Sequence, residues 1–274
     1  MLGYLLDSSN MRAHSSNYNA CMIITNPPRF THERHARIVD WLNAHGRVEV
    51  LELARLLEVS EHTIRRDLEA LQAAGVLQRT HGGAVAIDTR RLGFGGRSAV
   101  LADVKSSLGH LGAELIEAGQ SIVLDAGSTT LEMARALTVR PLTVITNSLD
   151  IAAVFDRDPL VQLVVLGGVW QPDARAFWGH ATCQMLAHHR ADWAVPGACA
   201  VALDAGATAS EEPDAMLKQA MIRAARRTLV LADHSKVGGV APYHVADWGQ
   251  VHTLVTDRTW PELEARGVVV KVAA

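Results

Sequence analysis

The stretch SEHTIRRDL, residues 60–68, constrains the first third of the chain most strongly. Ser60 is a favourable N-cap because its hydroxyl can accept a hydrogen bond from an amide of the first helical turn. Glu61 places negative charge at the positive end of the helix dipole. Apolar residues then recur at the spacing of one buried helix face, namely Ile64, Leu68 and Leu71. The sequence therefore predicts a capped helix whose remaining faces are polar and include two adjacent arginines.

Predicted helices precede this stretch, and a predicted hairpin follows it. One helix covers about residues 34–45, and a second covers about 49–57. Two short strands, 76–80 and 84–85, flank a glycine-containing turn at 81–83. This order is typical of a winged helix-turn-helix, in which the helix after the tight turn enters the major groove of DNA. The residues expected to contact DNA are Ser60, His62, Thr63, Arg65, Arg66, Arg79, His81, Gly82 and Gly83.

Charge alone does not establish DNA binding, because three short helices and a hairpin can also form a small packing module. Residues 29–90 contain nine arginines and nine acidic residues, so the segment lacks the basic footprint that nucleic-acid binding often leaves. The whole chain has a net charge of −3. Affinity for DNA would therefore have to come from a local, salt-dependent patch built on Arg65, Arg66 and Arg79.

The length of 274 residues suits one small and one larger domain. We expect a disordered leader over 1–29, a winged helix-turn-helix over 30–88, an Arg- and Gly-rich linker over 89–105, and a larger α/β domain over 106–274. No secretion signal or membrane-spanning stretch is predicted. The three widely spaced cysteines form no metal or redox motif and fit the cytoplasm. Neither a metal nor a cofactor is expected.

From Leu108 onward, predicted helices alternate with short, almost continuously apolar strands. The strand segments are 122–124, 142–145, 161–166, 193–195, 229–231, 253–255 and 268–272. Strands of this kind joined by helices favour a mainly parallel sheet that is covered on both faces. Ligands bind such sheets at the carboxyl ends of the strands, so the residues that follow each strand are the candidates for a binding site.

The turn DAGSTT, residues 125–130, is the strongest candidate for a ligand site. It combines a glycine, several hydroxyl groups and the free amides of a helix N-terminus, an arrangement that favours phosphate. An ordinary helix cap after a glycine turn is the alternative. Small polar residues also follow the next two strands, so we expect three turns to form one pocket. Its residues would be Asp125, Gly127, Ser128, Thr129, Thr130, Thr146, Asn147, Ser148, Gly167 and Gly168.

Both halves of the chain resemble one bacterial family. The spacing of Arg34, Ile38 and Leu42, followed by the 60–68 stretch, is similar to the DeoR-family helix-turn-helix signature, and RTHGGA at 79–84 resembles the family's wing. The second half resembles the DeoR-family sensor domain. The shared motifs are DAGSTT, TNS at 146–148, LGG at 166–168, KxxMI at 218–222 and LADxSK at 231–236.

The resemblance implies a transcription factor, usually a repressor, with a sensor fold related to ribose-5-phosphate isomerase and coenzyme A transferases. It also implies a phosphorylated sugar, sugar acid or polyol as effector. Lys218 and Lys236 would be its charge partners, and Asp233 lies in the same motif as Lys236. Either lysine could instead be a solvated surface amine. His234, Asp214 and the acid-free segment 196–200 depart from the family pattern and leave the effector's identity open.

A phosphosugar isomerase-like enzyme with an accessory DNA-binding domain is the main alternative. Aldose–ketose isomerisation needs a positioned base, usually a carboxylate. The turn at 197–201 offers none, although Asp125 and Asp233 remain. A scaffold whose second domain only oligomerises is a third possibility. We expect a cytoplasmic, non-enzymatic repressor of carbohydrate or polyol genes. It would act on double-stranded operator DNA as a homodimer or homotetramer.

Overall fold

The computed structural model describes residues 31–73, 76–86 and 92–273. The leader expected over 1–29 lies outside these residues. The first domain contains three helices and a small antiparallel sheet whose strand order is β1-β3-β2. Its elements are α1 (Thr31–His45), β1 (Arg47–Glu49), α2 (Val50–Leu56), α3 (Glu61–Ala73), β2 (Leu77–Thr80) and β3 (Gly83–Ala86).

Strand β1 was not predicted, because its three residues carry no periodic signal of their own. It forms by pairing with β3, with Val48 opposite Ala84. The pairing is close at the wing turn. A Cβ on Gly83 would lie 1.9 Å from the carbonyl oxygen of Val48, so glycine is needed where the wing passes β1.

The predicted winged helix-turn-helix packs around the apolar faces of its three helices. Ile38, Leu53 and Ile64, one from each helix, are fully buried in one cluster. A buried ion pair joins α1 to α3 beside this cluster. Arg34 Nε donates to Asp67 Oδ2 at 2.5 Å, and Arg34 Nη2 donates to Asp67 Oδ1 at 2.8 Å. This two-point contact fixes the position of α3 relative to α1.

From residue 92 onward, the segment expected to be a linker contains helical structure that its composition does not indicate. Within it the structure places helix α4 (Phe94–Ala99) and the first residues of helix α5 (Ala102–Ala113). The Phe94 amide donates to the Asp173 carbonyl at 2.7 Å, and the Phe94 side chain packs against the α/β core. These long-range contacts explain a helix where local periodicity is absent.

The second domain is built on a seven-stranded sheet with the order β15-β14-β12-β9-β4-β5-β6. Every strand pair in this sheet is parallel, so the predicted α/β fold is confirmed. The main-sheet strands are β4 (Ser121–Leu124), β5 (Leu142–Thr146), β6 (Val161–Val165), β9 (Ala191–Val195), β12 (Ala225–Leu231), β14 (Thr253–Thr256) and β15 (Val269–Val272). All seven coincide with predicted strand segments.

Helices cover both faces of the sheet. Ile122 and Leu124 pack into one apolar cluster, whereas Val123 between them packs into another, as alternate residues of a buried strand must. The helices are α6 (Ser128–Ala136), α7 (Leu149–Phe155), α8 (His180–Ala187), α9 (Glu212–Ala224) and α10 (Pro261–Glu264).

In the described part of the second domain, five short strands lie outside the main sheet, and none of them was predicted. They are β7 (Val169–Gln171), β8 (Ala176–Trp178), β10 (Ala200–Ala202), β11 (Gly206–Ala209) and β13 (Tyr243–Ala246). β7 and β8 form a hairpin, and the other three form an antiparallel sheet in the order β10-β11-β13. Both units extend the polypeptide beyond the carboxyl ends of the main strands.

The ion pair between Arg34 and Asp67 allows a test of what holds α3 in place. Asp67→Ala leaves the Arg34 guanidinium buried without its carboxylate, which is expected to cost about 3 kcal/mol of unfolding free energy. Glu69→Ala on the same helix removes only the exposed pair with Arg79 and is expected to cost less than about 1 kcal/mol. Chemical denaturation of both variants measures the two losses. Equal losses would contradict the assigned role of the buried pair.

Candidate functional site: a recognition helix and a cavity at the strand ends

Helix α3 begins as the sequence predicts. The Thr63 amide donates to Ser60 Oγ at 3.1 Å, which caps the first turn. Ile64, Leu68 and Leu71 are buried, whereas Arg65, Arg66 and His62 are exposed. The exposed face is therefore polar and basic, and its residues are free of the domain core.

The three arginines expected at the DNA surface have different surroundings. Arg65 Nη2 pairs with Glu61 Oε2 at 2.7 Å, one helical turn away. Arg79 Nη1 pairs with Glu69 Oε1 at 2.8 Å. Within the described ranges, Arg66 forms no side-chain hydrogen bond or ion pair. Of the three, Arg66 thus presents a guanidinium that needs no rearrangement before it meets a new partner.

A cavity of about 890 Å³ lies beyond the carboxyl ends of the main strands. Elements from across the second domain contribute to it, and so do residues before and within α4. The predicted site residues that line it are Gly127, Ser128, Thr129, Thr130, Lys218, Asp233 and Lys236. Residues that were not predicted also line it, among them Arg97, Asp173, Trp178, Ser210, Glu211 and Asp214.

The second and third predicted turns do not line this cavity. Thr146, Asn147 and Ser148 are buried, and their side chains bind backbone. Asn147 Oδ1 accepts from the Ala126 amide at 3.0 Å, and Asn147 Nδ2 donates to the Phe177 carbonyl at 3.3 Å. Thr146 Oγ1 accepts from the Ser148 amide, and Ser148 Oγ caps α7. Asn147 thus positions the first turn, whereas the side chains of Thr146 and Ser148 bind backbone amides of their own turn and of α7.

Gly167 and Gly168 also serve packing. The Gly167 carbonyl accepts from Thr182 Oγ1 at 2.7 Å. Gly168 has a φ of 150°, and a Cβ there would lie 2.1 Å from Thr182 Oγ1. The expectation that three turns form one pocket is therefore corrected, since only the first turn reaches the cavity.

Lys218 is buried between two carboxylates. Its ammonium lies 2.7 Å from Asp125 Oδ2 and also contacts Asp214 Oδ1. Burial alone would lower the pKa of Lys218, but Asp125 and Asp214 raise it above its ordinary value. Burial raises the pKa of Asp214, and Lys218 opposes this. Two carboxylates thus already balance the charge of the ammonium, so Lys218 has no unpaired charge to offer an effector as the expected charge partner would.

Asp125 is fully buried and is not part of the lining. Besides binding Lys218, its Oδ2 accepts from the Gly197 amide at 2.8 Å. This one carboxylate therefore connects the end of β4, the end of β9 and helix α9. Asp125 was expected to contact the ligand. In the structure it instead connects the elements that form the cavity walls.

Several buried polar atoms in this region have no partner within the part of the chain that the structure describes. They are Asp125 Oδ1, Asp233 Oδ2, Ser210 Oγ and Trp178 Nε1. Asp233 is 1% exposed, and its other oxygen is held by the amide and hydroxyl of Ser235. Trp178, Ser210 and Asp233 line the cavity. Buried groups of this kind need partners, and hydroxyl groups of a ligand can supply them.

Lys105 lies beneath the cavity with 3% of its surface exposed. Its ammonium donates to the carbonyl of Val100 at 2.5 Å and to the carbonyl of Arg97. Burial lowers the pKa of Lys105 to about 8, with Asp233 opposing and with Lys236 and Arg97 adding to the decrease. The protonated form therefore costs free energy near neutral pH.

This lowered pKa predicts a pH dependence of stability. An unfolded lysine keeps its proton to about pH 10, so between pH 8 and 10 the unfolded chain binds more protons, and stability rises with pH. From pH 7 to pH 9 the parent should gain about 1 kcal/mol relative to Lys105→Met. Denaturant titrations of both proteins at the two pH values measure this change. If the difference in unfolding free energy between the parent and Lys105→Met stays constant from pH 7 to pH 9, or changes in favour of Lys105→Met, the lowered pKa of Lys105 is refuted.

The winged helix-turn-helix and the α/β domain with a polar cavity define a class of two-domain DNA-binding regulators. Residues 34–90 match the model for the DeoR-like helix-turn-helix domain, and residues 101–258 match the model for the DeoR C-terminal sensor domain. The chain belongs to the DeoR family, and it is a DNA-binding transcriptional regulator.

Relatives with assigned roles are similar along most of their length. The HTH-type transcriptional repressor GlcR of Bacillus subtilis is 33% identical over 84% of this chain and 89% of its own. The L-fucose operon activator of Haemophilus influenzae is also 33% identical, over 84% of this chain and 93% of its own. Both are regulators, one named as a repressor and the other as an activator.

Among solved structures, ribose 5-phosphate isomerase A from Methanocaldococcus jannaschii matches with a TM-score of 0.37 and 19% identity. The match covers 50% of this chain and 54% of the isomerase, and a likeness at this level carries no argument about function. In the described part of the chain, no helix is long and apolar enough to cross a membrane.

Proposed function

We propose that the protein is a repressor of carbohydrate or polyol genes whose DNA binding is controlled by a phosphorylated sugar, sugar acid or polyol in the cavity. The observation that carries this proposal is the first turn of α6. Its first-turn amides line the same cavity as buried polar atoms that have no partner.

The phosphate would bind at the start of α6. The first intrahelical bond runs from the Leu131 amide to the Gly127 carbonyl, so the amides of residues 128–130 have no acceptor within the helix. These donors lie at the positive end of the helix dipole. Together they favour an anion with several oxygens, as phosphate has.

The sugar portion would bind to the unpartnered polar atoms. Asp233 Oδ2 accepts hydrogen bonds, Trp178 Nε1 donates them, and Ser210 Oγ can do either. A polyhydroxylated ligand can satisfy all three. The other carboxylates of the lining, Asp173, Glu211 and Asp214, offset the charges of its cations. The cavity therefore suits a ligand with one anionic end better than a polyanion.

Binding without turnover is part of the proposal. Asp125 Oδ2 is occupied by Lys218 and the Gly197 amide, so that oxygen cannot act as a base without breaking an ion pair. No acidic residue occurs in 196–201. Among the described residues that line the cavity, Asp233 is the one whose carboxylate has a fully buried oxygen without a partner, and its place suits a hydroxyl of the ligand. The relatives named above are regulators, which agrees with this proposal.

On DNA, α3 would read the major groove and the wing would contact the backbone. The proposed contacts are Ser60, His62, Thr63, Arg65, Arg66, Arg79, His81, Gly82 and Gly83. We propose that a homodimer or homotetramer in the cytoplasm binds operators with repeated half-sites, because one α3 covers too few base pairs for specific regulation.

Arg66 provides a direct test of the reading role. An operator is first selected in vitro from random duplexes with the parent protein. Arg66→Ala should then weaken binding by roughly 10- to 100-fold, because a bidentate contact to guanine is worth about 1–3 kcal/mol. Arg65→Ala should weaken it less, since Arg65 must first leave Glu61. Fluorescence anisotropy at matched salt measures both.

Arg226→Ala is the control, because it removes the same charge from the exposed start of β12 in the other domain. It should leave operator affinity unchanged. If neither α3 variant binds more weakly than this control, α3 does not read the operator.

Ser128 provides a test of the phosphate position. Ser128→Asp would put a carboxylate where phosphate binds, and Ser128→Ala would leave the backbone donors intact. In a thermal-shift screen of phosphosugars and free sugars, the parent and Ser128→Ala should be stabilised by phosphosugars only. A ligand at a hundredfold excess over its Kd adds about 2.7 kcal/mol. Ser128→Asp should show no shift. Free sugars that stabilise the parent equally well would rule out the phosphate site.

A further inference from the structure

Helix α4 is part of the cavity wall. Leu92, Gly93 and Arg97 line the cavity together with the first turn of α6. The helix is attached to the second domain at its start, where the Phe94 amide binds the Asp173 carbonyl and the Phe94 ring packs against the core. Among the described residues it is also the first helix after the wing in the sequence. A ligand in the cavity therefore meets the segment that leads to the DNA-binding domain.

Arg97 brings a positive charge into this wall. Its Nη1 donates to the Leu92 carbonyl at 2.6 Å, and no carboxylate among residues 31–73, 76–86 and 92–273 pairs with it. The contrast with Lys218 is large, because that ammonium already contacts two carboxylates. Arg97 therefore has guanidinium donors that an anionic ligand can use.

The far end of α4 is held by a strained connection. Leu101, between α4 and α5, has φ 54° and ψ 41°, a left-handed conformation that a leucine rarely adopts. Among the described residues, no side chain caps α5 there. Instead, the buried ammonium of Lys105 binds the carbonyls of Arg97 and Val100. The direction in which α4 leaves α5 thus depends on one buried side chain and one unfavourable backbone conformation.

We propose that Arg97 is an effector-binding residue and that α4 is the element through which the effector acts on the DNA-binding domain. This inference rests on the function proposed above. Arg97 and the α6 amides would hold the same anion from two sides, so that binding draws α4 against α6. A ligand shifts a conformational equilibrium of a protein only if it binds the two conformations with different affinities. A contact with Arg97 that forms in only one position of α4 would supply that difference in affinity.

The first measurement uses inorganic phosphate as the probe. Phosphate should raise the Tm of the full chain above that in sodium chloride of equal ionic strength. Arg97→Ala should weaken phosphate binding about tenfold or more, because a charge-assisted hydrogen bond is lost. Arg97→Lys, which keeps the charge, should retain part of the affinity. Arg226→Ala, at the opposite end of β12 from the cavity, should bind phosphate like the parent.

The second measurement follows α4 itself by hydrogen exchange. Phosphate should slow exchange of the amides of α4 in the parent and in Arg226→Ala, but not in Arg97→Ala. Slowed exchange confined to the start of α6 would show that α4 is a passive wall and would overturn the inference.

The two proposals fail in different ways. No effect of phosphate on the parent, by either measurement, would overturn both the phosphate site and the role of α4. A phosphate effect that Ser128→Asp removes and Arg97→Ala leaves at full size would keep the site and overturn only the role of α4. If Arg97→Ala does not fold, the same comparison is made with Arg97→Gln, which removes the charge and keeps a polar side chain. Loss of phosphate affinity and of α4 protection in Arg97→Gln would support the inference, and a phosphate affinity equal to that of the parent would overturn it.

Discussion

The shape of the cavity depends on the buried contact among Asp125, Lys218 and Asp214. Asp125 follows β4, its Oδ2 binds the amide of Gly197 after β9, and Lys218 and Asp214 belong to α9. Burying three charged groups has a large desolvation cost that their attraction offsets only in part. Net stability therefore does not account for the arrangement. What it provides is position, because it holds three elements at fixed distances around the space that a ligand would occupy.

The same principle operates in the first domain. Arg34 and Asp67 are buried and form two hydrogen bonds that set α3 against α1. An apolar pair would pack there without fixing the direction of α3 as closely, since apolar contacts have little directional preference. In both domains buried charged groups, two in the first and three in the second, place the surface proposed to bind a partner, while the apolar clusters supply the stability.

The sequence predicted elements whose signal is local. The seven parallel strands were found because each is an almost continuous apolar run, and α3 was found because cap, apolar stripe and polar faces agree within one stretch. Strands β1, β7, β8, β10, β11 and β13 were missed, because these short segments lack a distinctive local signal and become strands only by pairing with another strand. The same limit explains Asn147, whose polarity was interpreted as facing a ligand, whereas the distant backbone groups of Ala126 and Phe177 satisfy it. It also explains why Trp178, Ser210 and Arg97 were not predicted, because only the fold brings them to the cavity.

The interaction free energies favour a movement of helix α4 over a rearrangement of the α/β core. Allosteric coupling free energies are typically about 1–3 kcal/mol. One charge-assisted hydrogen bond to Arg97 is worth roughly 1.5–3 kcal/mol, and a left-handed conformation at a residue such as Leu101 costs about 1–2 kcal/mol. A contact made from within α4 and a strain just beyond its end are therefore of similar size. Moving the walls held by Asp125 would require breaking a buried ion pair, at about 3–5 kcal/mol. If α4 is the mobile element, operator DNA and the effector each prefer one position of α4. DNA binding must then change the affinity for the effector by the same factor by which the effector changes the affinity for DNA.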